Sequence, residues 1–402
     1  MRLKPHSVRT TVLIIALVAT GPLSTDMYLP ALPEIRTAFN VDTSAVQLTL
    51  SIFLAGLASA QLILGPLSDR FGRRPVLIGG MALYFLASLA CIYAPTIEAL
   101  MAARFIQAVG VCAGGVVGRA VVRDIHGRTE AARMLAQIAT AIAVAPLVAP
   151  LVGGHLAVTF GWPSVFAVMA AIGAVLVVAT GRMLPETNAQ PKADALNPKR
   201  FATNYKTLLS SANYRAFLFA TAFCFSGLFA FISGSSFVLI DTLGMAPDHF
   251  GFAFGFVVVG FMVGSHLGGR WVKRLGVERL VALGGRLAMG TGALALGLNL
   301  LGPVSIFTVV VPMALYLVSV GLILPSAMAG AIAPYPHMAG AASALVGFVQ
   351  MMMAALSGAL VGYIHDGTPV PMMLIVALCG ALAWAFSRQA KAEDEPENAP
   401  ET

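Results

Sequence analysis

Long apolar runs alternate with short polar breaks along the whole of this 402-residue chain. A membrane-crossing helix needs about 20 consecutive, mostly apolar residues. Read on that basis, the pattern predicts twelve spans: 11–33, 45–66, 75–94, 99–121, 133–156, 163–183, 214–236, 249–271, 278–300, 304–328, 338–364 and 369–387. The longest polar stretch, Leu184–Asn213, divides them into six and six. The expected organisation is a first bundle over 1–183, a linker over 184–213, a second bundle over 214–387 and a disordered tail over 388–402. The predicted class is an all-α integral membrane protein in contact with the lipid bilayer.

Composition agrees with that class. The chain is 58% hydrophobic and 11% charged, where soluble domains carry about 25% charged residues. A net charge of +7 raises the idea of nucleic acid. The basic residues, however, are spread through short loops rather than gathered on one domain, so no nucleic-acid partner is expected. If residue 1 is cytoplasmic, then Arg70, Arg73, Arg74, Arg119, Arg123, Arg270, Lys273, Arg274 and Arg388 all fall on the cytoplasmic side. The alternate loops hold Asp42, Glu98, Asp241, Asp248 and Asp366, with Arg36 as the one basic exception. Both termini are therefore expected in the cytoplasm. The basic start has the form of a secretory signal, but its apolar segment runs on past Gly21 toward Pro33, so it reads as an uncleaved first span.

Several chemistries find no support. The four cysteines lie inside apolar segments and read as core residues. No phosphate-binding Gly-x-x-x-x-Gly-Lys-Ser/Thr loop is present, which argues against ATP as the energy source. No paired His or Cys spacing suggests a metal, and no cofactor is expected.

Gly65–Arg74 packs four charges, two glycines and a proline between spans two and three, and reads as a tight turn. Gly264–Gly276 echoes it between spans eight and nine. The same place in each half suggests two structural repeats with a substrate site between them.

Asp26 is the one acid well inside a span, where a charge costs at least ~2.5–3.5 kcal/mol. Arg104 is the matching base. From the rise per helical residue, Asp26 lies roughly 10 Å and Arg104 roughly 8 Å below the outer surface, a shared level. A carboxylate balanced between apolar surroundings and a cation can take up a proton on one side and release it on the other, and a cationic or polar solute can compete for it. The plainer reading is a buried ion pair that fixes helix packing. Tyr28 and Gln107 flank the two charges. Phe225 and Phe229 in span seven, Tyr316 in span ten and Met352 in span eleven offer adaptable apolar contacts, or simply face lipid. Pro146, Pro150, Gly153 and Gly154 interrupt span five as a hinge or as close packing.

The motifs carry a resemblance. Gly65, Leu67, Asp69, Arg70, Gly72, Arg73 and Arg74 match the loop signature of the major facilitator superfamily, and Arg104, Gln107 and Gly110 match its fourth-span signature. Ala149–Gly154 keeps the proline and glycine pair of the antiporter signature, with Ala149 for its first glycine. Ser24–Pro33, Gln47–Ser51 and Arg119–Asp124 resemble the Bcr/CflA family of drug:proton antiporters. The likeness is strong over about 1–183; beyond 214 it rests on topology and the echoed loop.

The resemblance implies two pseudo-symmetric six-helix bundles with spans one and four lining a central cavity. It implies an exporter and not an enzyme: a protein, usually monomeric, that exchanges small amphipathic antibiotics (bicyclomycin, chloramphenicol or florfenicol-like) for protons across a bacterial inner membrane. The alternative is a proton symporter or a uniporter of an endogenous metabolite. The resemblance also implies a gate, in which Asp69 faces the start of span eleven near Met338–Gly340, Gly65 and Gly72 shape the turn, and Arg73 pairs with Asp124.

Overall fold

The computed structural model describes residues 8–126, 128–188 and 198–390. The first seven residues, the middle of the predicted linker and all but the start of the predicted tail lie outside the described residues. The described helices are α1 (Val8–Asp26), α2 (Leu32–Phe39), α3 (Thr43–Phe71), α4 (Arg73–Ile92), α5 (Ile97–Ile125), α6 (Arg128–Phe160), α7 (Pro163–Met183), α8 (Pro198–Ser210), α9 (Ala212–Ser236), α10 (Pro247–Leu275), α11 (Val277–Leu301), α12 (Ile306–Ile332), α13 (Ala339–Tyr363) and α14 (Val370–Ser387). Among the described residues twelve helical segments are long and apolar enough to cross a membrane, one for each span read from the sequence.

The departures from that reading have local causes. The first span is broken after Asp26, continues as a 3₁₀ turn over Leu29–Ala31, and resumes as α2. Pro30 and Pro33 lack the amide donors that would bond back to residues 26 and 29, so the α-ladder cannot run through. In contrast, α3 absorbs Pro66 and runs to Phe71, so the expected multi-residue turn is one residue, Gly72, at φ 101°. Only glycine adopts that backbone without strain. The polar linker contains α8, in which Phe201, Tyr205 and the buried Leu208 recur at helical spacing. Phe201 stacks on Tyr205 at 6.2 Å. Three apolar positions suffice for a surface helix but not for a span, which is why hydropathy passed over it.

Helices α1 and α3–α7 pack as one bundle and α9–α14 as the other. The bundles meet where α3 lies along α13 and α6 along α10. The repeat is visible in the turns: α10 passes into α11 through Gly276 at φ 77°, as α3 passes into α4 through Gly72. Three residues before the turn glycine stands Asp69 in the first bundle and Lys273 in the second, so only the first turn carries a carboxylate there. The end of the bundle bearing Gly72 and Gly276 is called the basic end. The opposite end, with Asp42, Glu98 and Asp366, is the acidic end. Tyr93, Phe160 and Tyr363 are strongly exposed at helix ends there, as aromatic side chains at a membrane interface are.

Candidate functional site

Between the bundles lies a cavity of about 380 Å³. Asp26 lines it, from the last position of α1, together with Thr25, Gln61 of α3, and Cys112 and Arg119 of α5. The second bundle contributes only apolar side chains, among them the expected Phe225 and Phe229. Asp26 is 5% exposed. Among the described residues its carboxyl has no hydrogen bond or ion pair, and none of the others that line this cavity carries a carboxylate.

Arg104 does not face the cavity, contrary to the expectation that it shares one with Asp26. It is fully buried inside the first bundle, with its guanidinium 4.1 Å from the Phe53 ring centre, 4.5 Å from Tyr28 and 5.8 Å from Phe166. A planar, weakly hydrated guanidinium stacks well on aromatic faces. Its Nη1 donates to the Gln107 Oε1 at 2.6 Å and to the Ser24 carbonyl at 3.3 Å, while Nε and Nη2 have no acceptor among the described residues. Arg104 thus holds α1 two residues short of Asp26 without pairing with it.

Tyr28 and Gln107 also turn into this core rather than into the cavity. Tyr28 shares a 2.9 Å hydrogen bond with Thr49. The Gln107 amide donates to Ser88 Oγ at 2.8 Å. Tyr316 is fully buried and donates to the Cys224 carbonyl at 3.2 Å. Of the methionines on α13, Met351 lines the cavity and Met352 does not, a difference of 100° around a helix. The prolines of α6 leave it unbroken, for it runs through both Pro146 and Pro150. Its glycines sit at crossings: a Cβ on Gly153 would collide with the Met27 carbonyl, and one on Gly154 with the Pro247 carbonyl of the other bundle. All four cysteines are buried and none forms a disulfide.

At the basic end a vestibule of about 370 Å³ adjoins the cavity. Gly65 and Asp69 line one side of it, and Met338 and Gly340, where α13 begins, line another. Asp69 accepts from Arg73 Nη1 at 2.5 Å, and Arg73 Nε donates to Asp124 at 2.9 Å, the pairing expected from the motif. Sequence reasoning missed the clamp around it. Both oxygens of Glu186 accept from the first amides of α4, Arg73 N at 2.8 Å and Arg74 N at 3.1 Å. A carboxylate at a helix N-terminus satisfies open amides and meets the positive end of the dipole. Asn188 donates to the Asp69 carbonyl at 2.8 Å.

At the acidic end the bundles are joined. Arg36 of α2 meets Asp241 at 2.9 Å, and Ser236 donates to the Leu29 carbonyl at 2.7 Å. This pairing explains the one basic residue among the acidic loops.

Two bundles of six spans, a cavity between them, and contacts joining them at one end define a membrane transporter. The Major Facilitator Superfamily profile matches residues 14–358, and the chain belongs to that superfamily. It is 35% identical to an uncharacterized MFS-type transporter, YdgK, of Bacillus subtilis, over 92% of each chain. It is 30% identical to a bicyclomycin resistance protein homolog of Haemophilus influenzae, over 91% of this chain and 92% of that one. Among solved structures, a D-xylose-proton symporter matches with a TM-score of 0.73 at 16% identity, over 95% and 97% of the two chains, a likeness of fold. The chain is thus a multi-pass membrane transporter and not an enzyme.

Proposed function

We propose that this transporter exports small amphipathic antibiotics in exchange for protons, with its basic end in the cytoplasm as the distribution of arginine and lysine favours. The observation that carries the reading is Asp26, a carboxyl with no hydrogen bond or ion pair to any described residue, on the wall of the cavity between the bundles. An unpaired charge at that depth is costly, so the group favours either a proton or a polar cargo as partner. Occupancy by one excludes the other, and exchange follows. A relative named for bicyclomycin resistance at 30% identity supports an antibiotic as cargo. With the acidic end joined, the cavity communicates with the vestibule on the cytoplasmic side, the state that takes up cargo and releases a proton.

The test is drug-susceptibility profiling of an efflux-deficient bacterium expressing wild type or Asp26→Asn at equal membrane levels. Wild type is expected to raise tolerance to bicyclomycin- or chloramphenicol-like compounds, and Asp26→Asn to abolish the gain. Equal tolerance conferred by the two proteins would falsify the role given to Asp26.

A further inference from the structure

Arg119 stands on α5 where the central cavity and the basic-end vestibule join, and lines both. Its side chain is open to that space, yet it makes no hydrogen bond or ion pair with any described residue. The vestibule carboxylate Asp69 is bonded to Arg73, as is Asp124 of the same cluster. Arg123, one turn on, adds charge of the same sign. Arg119 therefore presents a cation with five donors to a cavity whose second-bundle wall is apolar.

Asp26 lies at the other end of that cavity. Val18 packs at the level of Gly118, and Asp26 is just over two turns further along α1. The two groups are thus separated by about 12 Å along the helix axes. Thr25 and Gln61 also line the first-bundle wall, and Phe225, Phe229 and Met351 face them.

We propose that Arg119 binds an anionic or strongly electron-rich acceptor group of the cargo, so that the favoured cargo is an amphipathic molecule that joins such a group to an apolar body. This rests on the transport reading of the cavity and narrows it. Arg119 repels a cationic group at its own end of the cavity, where the surroundings are of low dielectric. A carboxylate, enolate or sulfonate instead gains charge-assisted, two-pronged hydrogen bonds. With Asp26 ionised, a zwitterion satisfies both poles.

Fluorescein, an anion, and rhodamine 123, a cation, share a xanthene body and serve as probes. Their binding to the purified full-length protein is read by fluorescence anisotropy, with each variant checked for a single symmetric size-exclusion peak. Wild type is expected to favour fluorescein. Arg119→Gln should weaken fluorescein binding about 10- to 100-fold and leave rhodamine 123 unchanged or tighter, and Arg119→Lys should recover part of the loss. Equal fluorescein affinity of wild type and Arg119→Gln, in preparations that bind rhodamine 123, overturns the assignment. So does binding of neither dye, while the susceptibility test judges transport separately. Anionic lipid offers the same acceptor chemistry, so the measurement is repeated in phosphatidylglycerol nanodiscs. Fluorescein binding that is lost only there assigns Arg119 to lipid phosphate and also overturns the proposal.

Discussion

At the acidic end, Arg36 and Asp241 belong to different bundles, as do Ser236 and Leu29. At the basic end, Asp69, Arg73 and Asp124 all belong to the first bundle, and Glu186 and Asn188 lie just after its last helix. The first set of contacts must break whenever the bundles part at that end. The second can persist in any arrangement of the bundles, because nothing in it crosses between them. Asp69 looks toward the start of α13 across an open vestibule. The acidic-end contacts therefore record which end is joined, whereas the basic-end cluster lines one wall of the vestibule.

The largest effect is expected at the bundle crossing near the acidic end. Gly154→Leu forces a side chain against the Pro247 carbonyl, and such overpacking costs about 1–3 kcal/mol. The bundles should part there, and a cysteine placed at Thr242 should label several-fold faster with a membrane-impermeant maleimide. An unchanged rate would mean that this crossing does not hold the end shut.

A sharper contrast comes from one charge at each end. Arg36→Ala removes a partly exposed pair worth at most about 1 kcal/mol, so acidic-end labelling should rise up to about fivefold. Asp69→Asn removes the charge that α13 would meet on closing, a helix-terminus effect of about 0.3–1 kcal/mol. It should raise labelling at the basic end and lower it at the acidic end. If the two substitutions shift labelling in the same sense, the ends do not alternate.

The smallest effect is a pH dependence. Burial pushes the His365 imidazole below the usual histidine range, with Arg36 adding to the shift and Asp366 and Asp241 opposing it. A histidine lowered in the folded state binds protons more weakly than the unfolded chain does, so its contribution to stability is full above the ordinary histidine range. That contribution is lost as pH falls through that range toward the lowered value. Acidification from pH 7.5 to 5.5 should loosen the acidic-end loop slightly, and His365→Gln should remove that response. The comparison is made in the Asp26→Asn background, where the cavity carboxyl no longer titrates. A pH response that survives His365→Gln assigns it elsewhere.

The spans were legible because hydropathy reports burial in lipid directly, and the alternation of charge told one end from the other. Depth was legible too: Arg104 does bond at the level of Ser24, close to Asp26. Direction around the helix was not. It depended on three rings, from Tyr28, Phe53 and Phe166, drawn from segments far apart in sequence. The same limit explains Tyr28 and Gln107 facing the core, and Met351 rather than Met352 facing the cavity. Arg119 carried a usable signal, since its spacing from Cys112, Gly115 and Val116 places all four near one helical face. Read only as a loop charge, it gave no hint of a cavity. Glu186 was hidden in a polar stretch whose bonding partners lie more than a hundred residues away.

The Glu186 clamp has a practical consequence for anyone attaching a reporter to this protein. The segment between the bundles is the natural place to insert a fluorescent domain, but its first residues are not slack tether. Glu186 caps α4, and Asn188 is fastened to the backbone of Asp69. An insertion ahead of Glu186 would separate both fastenings from α7 at once, whereas one placed downstream of Asn188 leaves both in the part of the chain that stays whole.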